Sequence, residues 1–259
     1  IKLIRRCKNL RDKVENNGNY IIGRNAVLEA LKSGRVIDSI ACLPSNEATG
    51  SLKAIISKAK ERKIILKQMS RKALDLISGG KSHQGVIAFV GAKECCTVEE
   101  ILNYAESKNE PPFVIIADCI EDPHNLGAII RTAECAGAHG IIIPKRRAAG
   151  LTESVDKSSA GALEYVNIAR VSNIPSTIEY LKSKGLWIYG ADMDGEDYTS
   201  QDLKGSVALV IGSEGKGISK LVRDKCDFIL SLPMKGKINS LNASVAAGIL
   251  MYEVMRQRG

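Results

Sequence analysis

The feature that most constrains the fold is a set of six short, almost continuous apolar segments between residues 113 and 233. A strand with one buried face alternates apolar and polar residues, whereas these segments suit a parallel sheet covered on both faces. They are FVIIAD, GIIIP, YVNIARV, LWIYGAD, VALVIG and FILSLP. Helical patterns lie between them, around residues 125–138, 152–160, 175–184, 218–225 and 241–257. The sequence therefore predicts an α/β domain built on a parallel sheet.

A smaller α/β unit is predicted to precede this domain, because helical and strand patterns already alternate between residues 20 and 92. Within the next twenty residues, TVEE at 97–100 matches a capping box and predicts a short helix. Pro111 and Pro112 then favour an extended segment. The predicted organisation is a basic tail over 1–19, a small domain over 20–92, a linker over 93–112 and a larger domain over 113–259.

Positive charge is concentrated in the first third of the chain. Residues 1–92 contain 18 Lys and Arg against 7 Asp and Glu, whereas residues 93–259 contain 19 against 22. The first segment therefore has a net charge of +11 and the second a net charge of −3. Clustered cations attract polyanions, most often nucleic acid, although a solvated basic surface without a partner has the same composition.

Several classes of protein are disfavoured. The seven cysteines form no C-x-x-C pair, which argues against zinc, and their odd number indicates reduced thiols in a cytoplasmic setting. No apolar run approaches the roughly 20 residues of a membrane helix, and no secretory signal is visible. The acidic stretch GADMDGED at 190–197 lacks the glycine spacing of a calcium loop, so a turn without a metal is predicted there.

Ligands of such sheets bind outside the carboxyl ends of the strands, so the segment after the first large strand is informative. In DPHNLGAIIR, Asn125 is a candidate helix N-cap, and Gly127 and Arg131 share one helix face. A glycine there permits close approach of a ligand, and the arginine could hold an anion. A capped helix with a surface arginine would have the same sequence pattern, and this fragment alone does not decide between a ligand site and such a helix.

Two further strand ends carry unusual polar residues. VALVIGSEGKGIS at 207–219 has glycines spaced as G-x-x-G-x-G, which is not a dinucleotide fingerprint, although freed backbone N–H groups could hold a cofactor. Glu214 in this loop is either an orienting acceptor or a plain surface carboxylate. In KINSLNAS, Ser240 or Asn242 can cap the last helix, and the extra amides suit a site that binds a small molecule.

The histidines have more than one interpretation. His124 could be a general base or a turn residue that faces solvent. His83 lies in the glycine-rich SGGKSHQG, and His139 is predicted to be structural.

DPHNLGAIIR, LVIGSEGKGIS and LSLPMKGKINSLNASVAAGI resemble, in order and spacing, the three motifs of the SpoU (TrmH) family of RNA ribose 2′-O-methyltransferases in the SPOUT superfamily. IIGRNAVLEAL and SHQGVIA resemble the ribosomal-protein-like RNA-binding domain of the large-subunit rRNA guanosine-2′-O-methyltransferases. The resemblance covers nearly the whole chain except the basic tail. It implies a parallel-sheet domain that ends in a trefoil knot, preceded by a small α/β RNA-binding domain.

The resemblance also implies site residues and partners. S-adenosylmethionine would contact Gly212, Leu232 and Leu241, without a metal. Arg131 would grip the target phosphate and polarise the ribose hydroxyl. The family's proposals would make Arg131 the acceptor of the hydroxyl proton, but a guanidinium is almost never neutral, so gripping the phosphate is the role expected here. The residues that orient Arg131 and the ribose would be Asn125, Glu214, Ser240 and Asn242, and the RNA contacts would include Arg24, His83 and Arg131.

The expected assembly is a homodimer through the C-terminal domain, and the expected target is a guanosine of large-subunit rRNA. A tRNA ribose is the alternative target. Two other classes compete with this interpretation: a non-catalytic RNA-binding protein, and a nucleotide-dependent oxidoreductase, against which the glycine spacing argues.

Overall fold

The computed structural model describes residues 19–91 and 93–259, so the predicted basic tail falls almost wholly outside the described residues. The chain divides into two compact units. The first contains the described residues up to Glu94 together with Leu151–Tyr165, and the second contains Cys95–Gly150 and Val166–Gly259. An α/β architecture with a parallel-sheet domain and a preceding smaller domain is confirmed.

The first unit is built around a four-stranded sheet in the order β1-β4-β2-β3. Its elements are β1 (Asn19–Ile22), α1 (Arg24–Ser33), β2 (Ile37–Cys42), α2 (Ser51–Glu61), β3 (Ile65–Gln68), α3 (Arg71–Ser78) and β4 (Val86–Val90). Strand β1 was not predicted from the sequence and pairs antiparallel with β4. Helix α1 ends at Gly34, whose φ of 87° is the left-handed conformation that glycine adopts freely.

Residues 151–165 belong to the first unit, although the sequence predicts them in the second domain. They include a helix, α6 (Glu153–Ser158), and a short 3₁₀ turn at Ala162–Glu164. Helices are numbered in chain order, and those of the second unit are given below. Lys81 forms an ion pair with Glu153, and Arg35 forms one with Glu164. The helix predicted around residues 152–160 is thus present, and this segment is held to the first unit by cations that lie far away in the sequence.

A buried carboxylate lies in this segment. Asp156 is 4% exposed, and its Oδ1 has no hydrogen-bond partner among the described residues. Burial, together with the neighbouring Glu164 carboxylate, raises the pKa of Asp156 to about 7. The first unit therefore contains an acidic group that folding holds in an unfavourable environment for its charge.

The second unit is a six-stranded sheet in the order β10-β8-β9-β5-β6-β7, and every pair is parallel. Its strands are β5 (Phe113–Ala117), β6 (Gly140–Pro144), β7 (Ile168–Val171), β8 (Trp187–Asp197), β9 (Val207–Ile211) and β10 (Phe228–Ser231). Its helices are α4 (Val98–Ser107), α5 (Pro123–Cys135), α7 (Ile174–Ser183), α8 (Lys220–Arg223) and α9 (Ala243–Arg258). All six predicted strands are present, and the central β5 and β9 are buried at every position.

Most of the predicted linker is part of the second unit. The capping box is present, because the Thr97 hydroxyl accepts from the Glu100 backbone N–H and the Glu100 carboxylate accepts from Thr97 N. Ile101 of α4 is fully buried in the core of this unit. Arg258 at the chain end donates to the carbonyls of Pro111 and Pro112, at 2.9 and 3.1 Å. The helix was predicted, but the surrounding polar residues do not indicate that it packs on the core of the second unit.

The turn predicted at residues 190–197 is wrong, because β8 extends through this stretch to Asp197. Its pairing with β10 shifts register between Ile229 and Leu230. A Cβ at Gly195 would lie 2.4 Å from the Ile229 carbonyl oxygen, so the glycine permits this close approach. No group of side chains suited to a metal ion occurs in the described part of the chain. Within the same residues, no helix is long and apolar enough to cross a bilayer.

Candidate functional site

The three unusual strand ends meet at the carboxyl edge of the second sheet. β5 and β9 are neighbours at its centre, so the loops that follow them are adjacent. β10 lies at the sheet edge, but α9 returns from there to pack against α5 and β9. This return brings the third segment beside the other two.

Asn242 joins all three segments. Its Oδ1 accepts from the backbone N–H groups of Ser244 and Val245, at 3.0 and 3.3 Å, and so caps α9. Its Nδ2 donates to Asn125 Oδ1 at 3.0 Å and also to Glu214. The two backbone donors fix the orientation of the amide, and the two Nδ2 hydrogens must therefore face the other loops.

Asn125 is not the N-cap of α5. Asp122 takes that position, with its Oδ1 accepting from His124 N at 2.9 Å, and Pro123 follows in the first turn. An aspartate followed by a proline suits the start of a helix for two reasons. The carboxylate accepts from a backbone N–H of the first turn, and the proline has no N–H that would need a partner. Asn125 is consequently inside the helix, 7% exposed, with its side chain directed to Asn242.

A cleft of about 610 Å³ opens beside this cluster. Asn125 and Glu214 line it together with Asp122, Arg147 and Lys216. The remaining lining residues are Cys119, Ile120, Glu121, Ser213, Gly217 and Ser219. The cleft is therefore formed by the loops after β5, β6 and β9, and it offers amides, carboxylates and cations to a ligand.

The glycine-rich loop after β9 is a tight turn. Ser213 and Gly217 exchange two backbone hydrogen bonds, of 3.0 and 2.9 Å. A Cβ at Gly212 would lie 2.1 Å from the carbonyl carbon of Gly217, so glycine is required by the loop itself. Gly212 was expected to make room for a cofactor, and the structure gives a nearer reason. The turn places Glu214 within reach of Asn242.

Other predicted site residues lie apart from the cluster. Arg131 is exposed on α5, six residues beyond Asn125, or about 9 Å along the helix axis, and it does not line the cleft in this chain. Leu232 is partly buried, Ser240 is exposed and Leu241 is 39% exposed. Ser240 makes no hydrogen bond to the cluster among the described residues, and Asn242 alone caps α9.

Asp118 was not singled out in the sequence. It is 4% exposed, and its Oδ2 accepts from Ser219 N at 2.9 Å, which ties the loop after β5 to the end of the loop after β9. The sequence feature that could have identified Asp118 is that it ends the otherwise apolar strand FVIIAD. Its neighbour Cys119 lines the cleft, but burial and the Asp118 carboxylate raise the pKa of this thiol. Cys119 is therefore protonated at neutral pH and is a poor nucleophile.

In the first unit, the structure corrects the RNA contact expected of His83 and shows what holds Arg24. His83 is 3% exposed, with Nε2 2.9 Å from Asp75 Oδ1 and Nδ1 accepting from Gly85 N at 2.9 Å. Arg24 donates from Nε to the Gln84 carbonyl at 2.8 Å. Both side chains hold the SGGKSHQG loop in place. His83 is too buried to contact RNA directly, whereas Arg24 is only partly buried and stays a predicted contact.

The other two histidines differ in their exposure: His139 is buried and His124 is exposed. His139 is buried, accepts from Phe113 N at 2.9 Å and contacts Glu110, which confirms its structural role. His124 does not line the cleft, although it directly precedes Asn125 in the sequence.

Two family models match the chain, one for each unit. The model described as RNA 2′-O ribose methyltransferase substrate binding matches residues 20–95. The model described as the SpoU rRNA Methylase family matches residues 112–252, which is more than half of the chain.

The chain belongs to the SpoU rRNA methylase family.

Full-length similarities agree with this assignment. YacO of Bacillus subtilis, named a provisional TrmH family tRNA/rRNA methyltransferase, is 50% identical over 241 residues, covering 93% of this chain and 96% of YacO. The SpoU methyltransferase AviRb of Streptomyces viridochromogenes, solved with AdoMet, is 24% identical, with a TM-score of 0.82 over 98% of this chain and 97% of AviRb. An AdoMet-bound rRNA methyltransferase of Sinorhizobium meliloti is 24% identical, with a TM-score of 0.78 over 96% of this chain and 94% of that one.

Family membership makes this SpoU protein an RNA methyltransferase and separates it from the oxidoreductase alternative. The family's first motif corresponds to α5, its second to the loop after β9, and its third to the start of α9, which are the three segments that Asn242 connects.

Proposed function

We propose that this SpoU protein transfers the methyl group of S-adenosylmethionine to the ribose 2′-hydroxyl of a guanosine in large-subunit rRNA. The observation that carries the proposal is the Asn125–Asn242–Glu214 cluster at the edge of the cleft. This cluster joins three distant segments through one side-chain hydrogen-bond network at the place where parallel sheets bind ligands.

The segment after β10 fits the cofactor. Met234, Ile238 and Leu241 are 38%, 76% and 39% exposed, an unusual number of uncovered apolar side chains in one short stretch. Exposed apolar groups gathered in one place mark a binding site more often than an ordinary surface. The nucleoside and thioether parts of S-adenosylmethionine would cover them, and backbone groups near Gly212, Leu232 and Leu241 would hold its polar parts.

The chain must position the ribose and receive its proton. S-adenosylmethionine supplies an electrophilic methyl group and departs as S-adenosylhomocysteine once the new O–C bond replaces the S–C bond. Glu214 receives one hydrogen bond, from Asn242, and its carboxylate is exposed to the cleft. It is therefore placed to accept a hydrogen bond from the ribose hydroxyl. Arg131 is permanently charged, so it suits phosphate binding and polarisation of the hydroxyl better than proton removal.

Arg131 does not line the cleft of its own chain, so the cleft of a second copy is its proposed place of action. Val245, Tyr252 and Met255 are 50%, 46% and 41% exposed and form one stripe along α9. A Cβ at Gly248 on this helix would lie 3.7 Å from the Thr132 side chain, so the stripe borders the α5 surface that carries Arg131. We propose that two chains pair through this stripe and that each Arg131 serves the cleft of its partner.

The first unit would deliver the RNA. Its matched family model describes substrate binding, and exposed cations such as Lys53, Arg71 and Lys72 join Arg24 as candidate contacts in place of the buried His83. The solved S. meliloti protein described as an rRNA methyltransferase shares both units, which supports rRNA over tRNA. An rRNA substrate also implies a cytoplasmic location and a part in rRNA processing.

Mass spectrometry of RNA from cells that lack the gene tests the proposal. We expect one 2′-O-methylguanosine to disappear from large-subunit rRNA and to return when purified protein and S-adenosylmethionine are added. Loss of a tRNA 2′-O-methyl group instead would favour the alternative that the YacO name includes. An unchanged RNA together with no cofactor binding in calorimetry would favour the non-catalytic RNA-binding alternative.

A further inference from the structure

The loop after β6 carries three consecutive exposed cations, Lys145, Arg146 and Arg147, here called the basic loop. None of the three forms an ion pair within the described part of the chain. The net charge of −3 over residues 93–259 conceals this local concentration of positive charge. Three unpaired cations in a row create an attractive site for a polyanion.

The basic loop is anchored at both ends. Lys145 N donates to the Val171 carbonyl at 2.8 Å, which continues the pairing of β6 with β7. Ala149 N donates to the Ile120 carbonyl at 2.8 Å, which attaches the loop to the segment after β5. The cations are thus presented from a fixed frame at the carboxyl edge of the sheet, where the cleft lies.

Arg147 faces the cleft. It is one of the lining residues, and its φ of 58° is the left-handed conformation that non-glycine residues rarely adopt. Cys119 across the loop junction has a φ of 59° and lines the same cleft. Burial raises the pKa of the Cys119 thiol, and the Arg147 charge opposes that rise, so the guanidinium lies near the thiol. Backbone strain of this kind collects preferentially at functional sites.

The charges of the cleft indicate where an anion can bind. Glu121, Asp122 and Glu214 also line the cleft and would repel a phosphate, which leaves Arg147 and Lys216 as its cationic lining residues. A planar guanidinium binds phosphate oxygens in pairs, and it does so better than an ammonium group. We infer that the basic loop binds the RNA phosphates beside the target nucleotide, with Arg147 nearest the reacting ribose. The inference rests on the proposed RNA substrate of this same cleft.

Salt-dependent RNA binding tests the inference. The full-length protein, with S-adenosylhomocysteine present, is titrated with a short fluorescein-labelled RNA hairpin at several KCl concentrations. In Arg147→Gly, glycine keeps the left-handed backbone while the charge is removed. We expect the slope of log affinity against log salt to fall by about 0.7–0.9, the value for one lost phosphate contact. Replacing Lys145 and Arg146 with Gln as well should lower the slope by roughly 2–3 in total.

Lys204→Ala is the matched control, because Lys204 is an exposed cation of the same unit at the opposite, amino edge of the sheet before β9. It should leave the slope unchanged. An unchanged slope in Arg147→Gly would overturn the inference. A loss of S-adenosylhomocysteine affinity in calorimetry would also overturn it, because Arg147 would then bind the cofactor. These measurements need no turnover, so they stand apart from the test of methyl transfer.

Discussion

At the scale of single residues, Asn242 has two roles that can be separated. Its Oδ1 caps α9, and its Nδ2 connects Asn125 and Glu214. Serine is about as good an N-cap as asparagine but has no amide to donate. We expect Asn242→Ser to retain stability to within about 1 kcal/mol while its turnover falls roughly 10- to 100-fold through lost positioning.

Thermal unfolding and methyl-transfer kinetics measure the two effects of Asn242→Ser independently. Asn239→Ser is the control, since Asn239 is an exposed amide of the same segment outside the cluster. Full activity in Asn242→Ser would show that the amide bridge does not organise the site.

Arg131 should affect turnover without affecting the cofactor. It lies on α5 away from the apolar segment proposed to hold S-adenosylmethionine. We expect Arg131→Ala to lower kcat at least about 100-fold, because the target phosphate would no longer be positioned. Its affinity for S-adenosylhomocysteine in calorimetry should stay at the wild-type value. Glu134→Gln on the same helix is the control, and wild-type turnover in Arg131→Ala would contradict the role.

Sequence patterns located the residues of the site better than they assigned their roles. Asn125, Glu214 and Asn242 were all selected, because three polar strand ends in a parallel sheet must share one edge. The N-cap of α5 was misassigned, because both Asp122 and Asn125 can cap a helix and only the backbone geometry decides. His83 was misread, because its partners Asp75 and Gly85 become neighbours only in the folded loop.

At the scale of elements, the strands of the second sheet were predictable because their continuous apolar runs have few alternative structures. The positions of α4 and α6 were not. α4 has the capping signals of a helix, but its attachment to the second unit depends on the buried Ile101 and on distant core residues. α6 and the 3₁₀ turn after it are held to the first unit through Glu153 and Glu164, whose partners Lys81 and Arg35 are more than 70 residues away.

The buried Asp156 in α6 predicts a pH-dependent stability. Its pKa is about 7 in the folded protein and about 3.9 in an unfolded chain. Between these values the folded protein binds one more proton than the unfolded chain. The free energy of unfolding therefore decreases as pH rises through this window, by up to about 1.4 kcal/mol per pH unit, and levels off above it.

Asp156→Asn removes this titration. We expect the variant to be more stable than wild type at about pH 8 and to lose most of that advantage at about pH 5, where Asp156 is protonated in the folded protein. Thermal unfolding at the two pH values measures the difference. Asp194→Asn, which changes an exposed aspartate, is the control. A parallel shift of Asp156→Asn at both pH values would contradict the raised pKa.

At the scale of the whole molecule, the exposed stripe on α9 predicts the oligomeric state. Tyr252→Glu places a charge in the middle of the stripe, and burying it in a dimer would be costly. We expect the wild type to be a dimer by light scattering and the variant to be a monomer that is folded but inactive. Leu221→Glu is the control, because Leu221 is 72% exposed on α8, away from the stripe. A fully active monomer would exclude the proposed pairing.

Mixed dimers test whether Arg131 acts across the interface. A protomer with Arg131→Ala is combined with one that carries Asn242→Ser. If each Arg131 serves its partner's cleft, one site of the mixed dimer has an intact cluster and an intact arginine, so activity returns to about half of wild type. If Arg131 serves its own cleft, both sites are defective and no activity returns.

The discontinuous first unit also has a consequence in time. Its sheet is encoded before Glu94, but Leu151–Tyr165 follow only after the whole segment from Cys95 to Gly150 has been made. Residues 95–165 amount to 71 positions, and a ribosome adds them in roughly 4 to 14 seconds. During that interval Arg35 cannot pair with Glu164, and Lys81 cannot pair with Glu153, because the two glutamates have not yet been synthesised. The unit that comes first along the gene is therefore completed late in synthesis, when more than half of the catalytic unit's sheet is still to be translated.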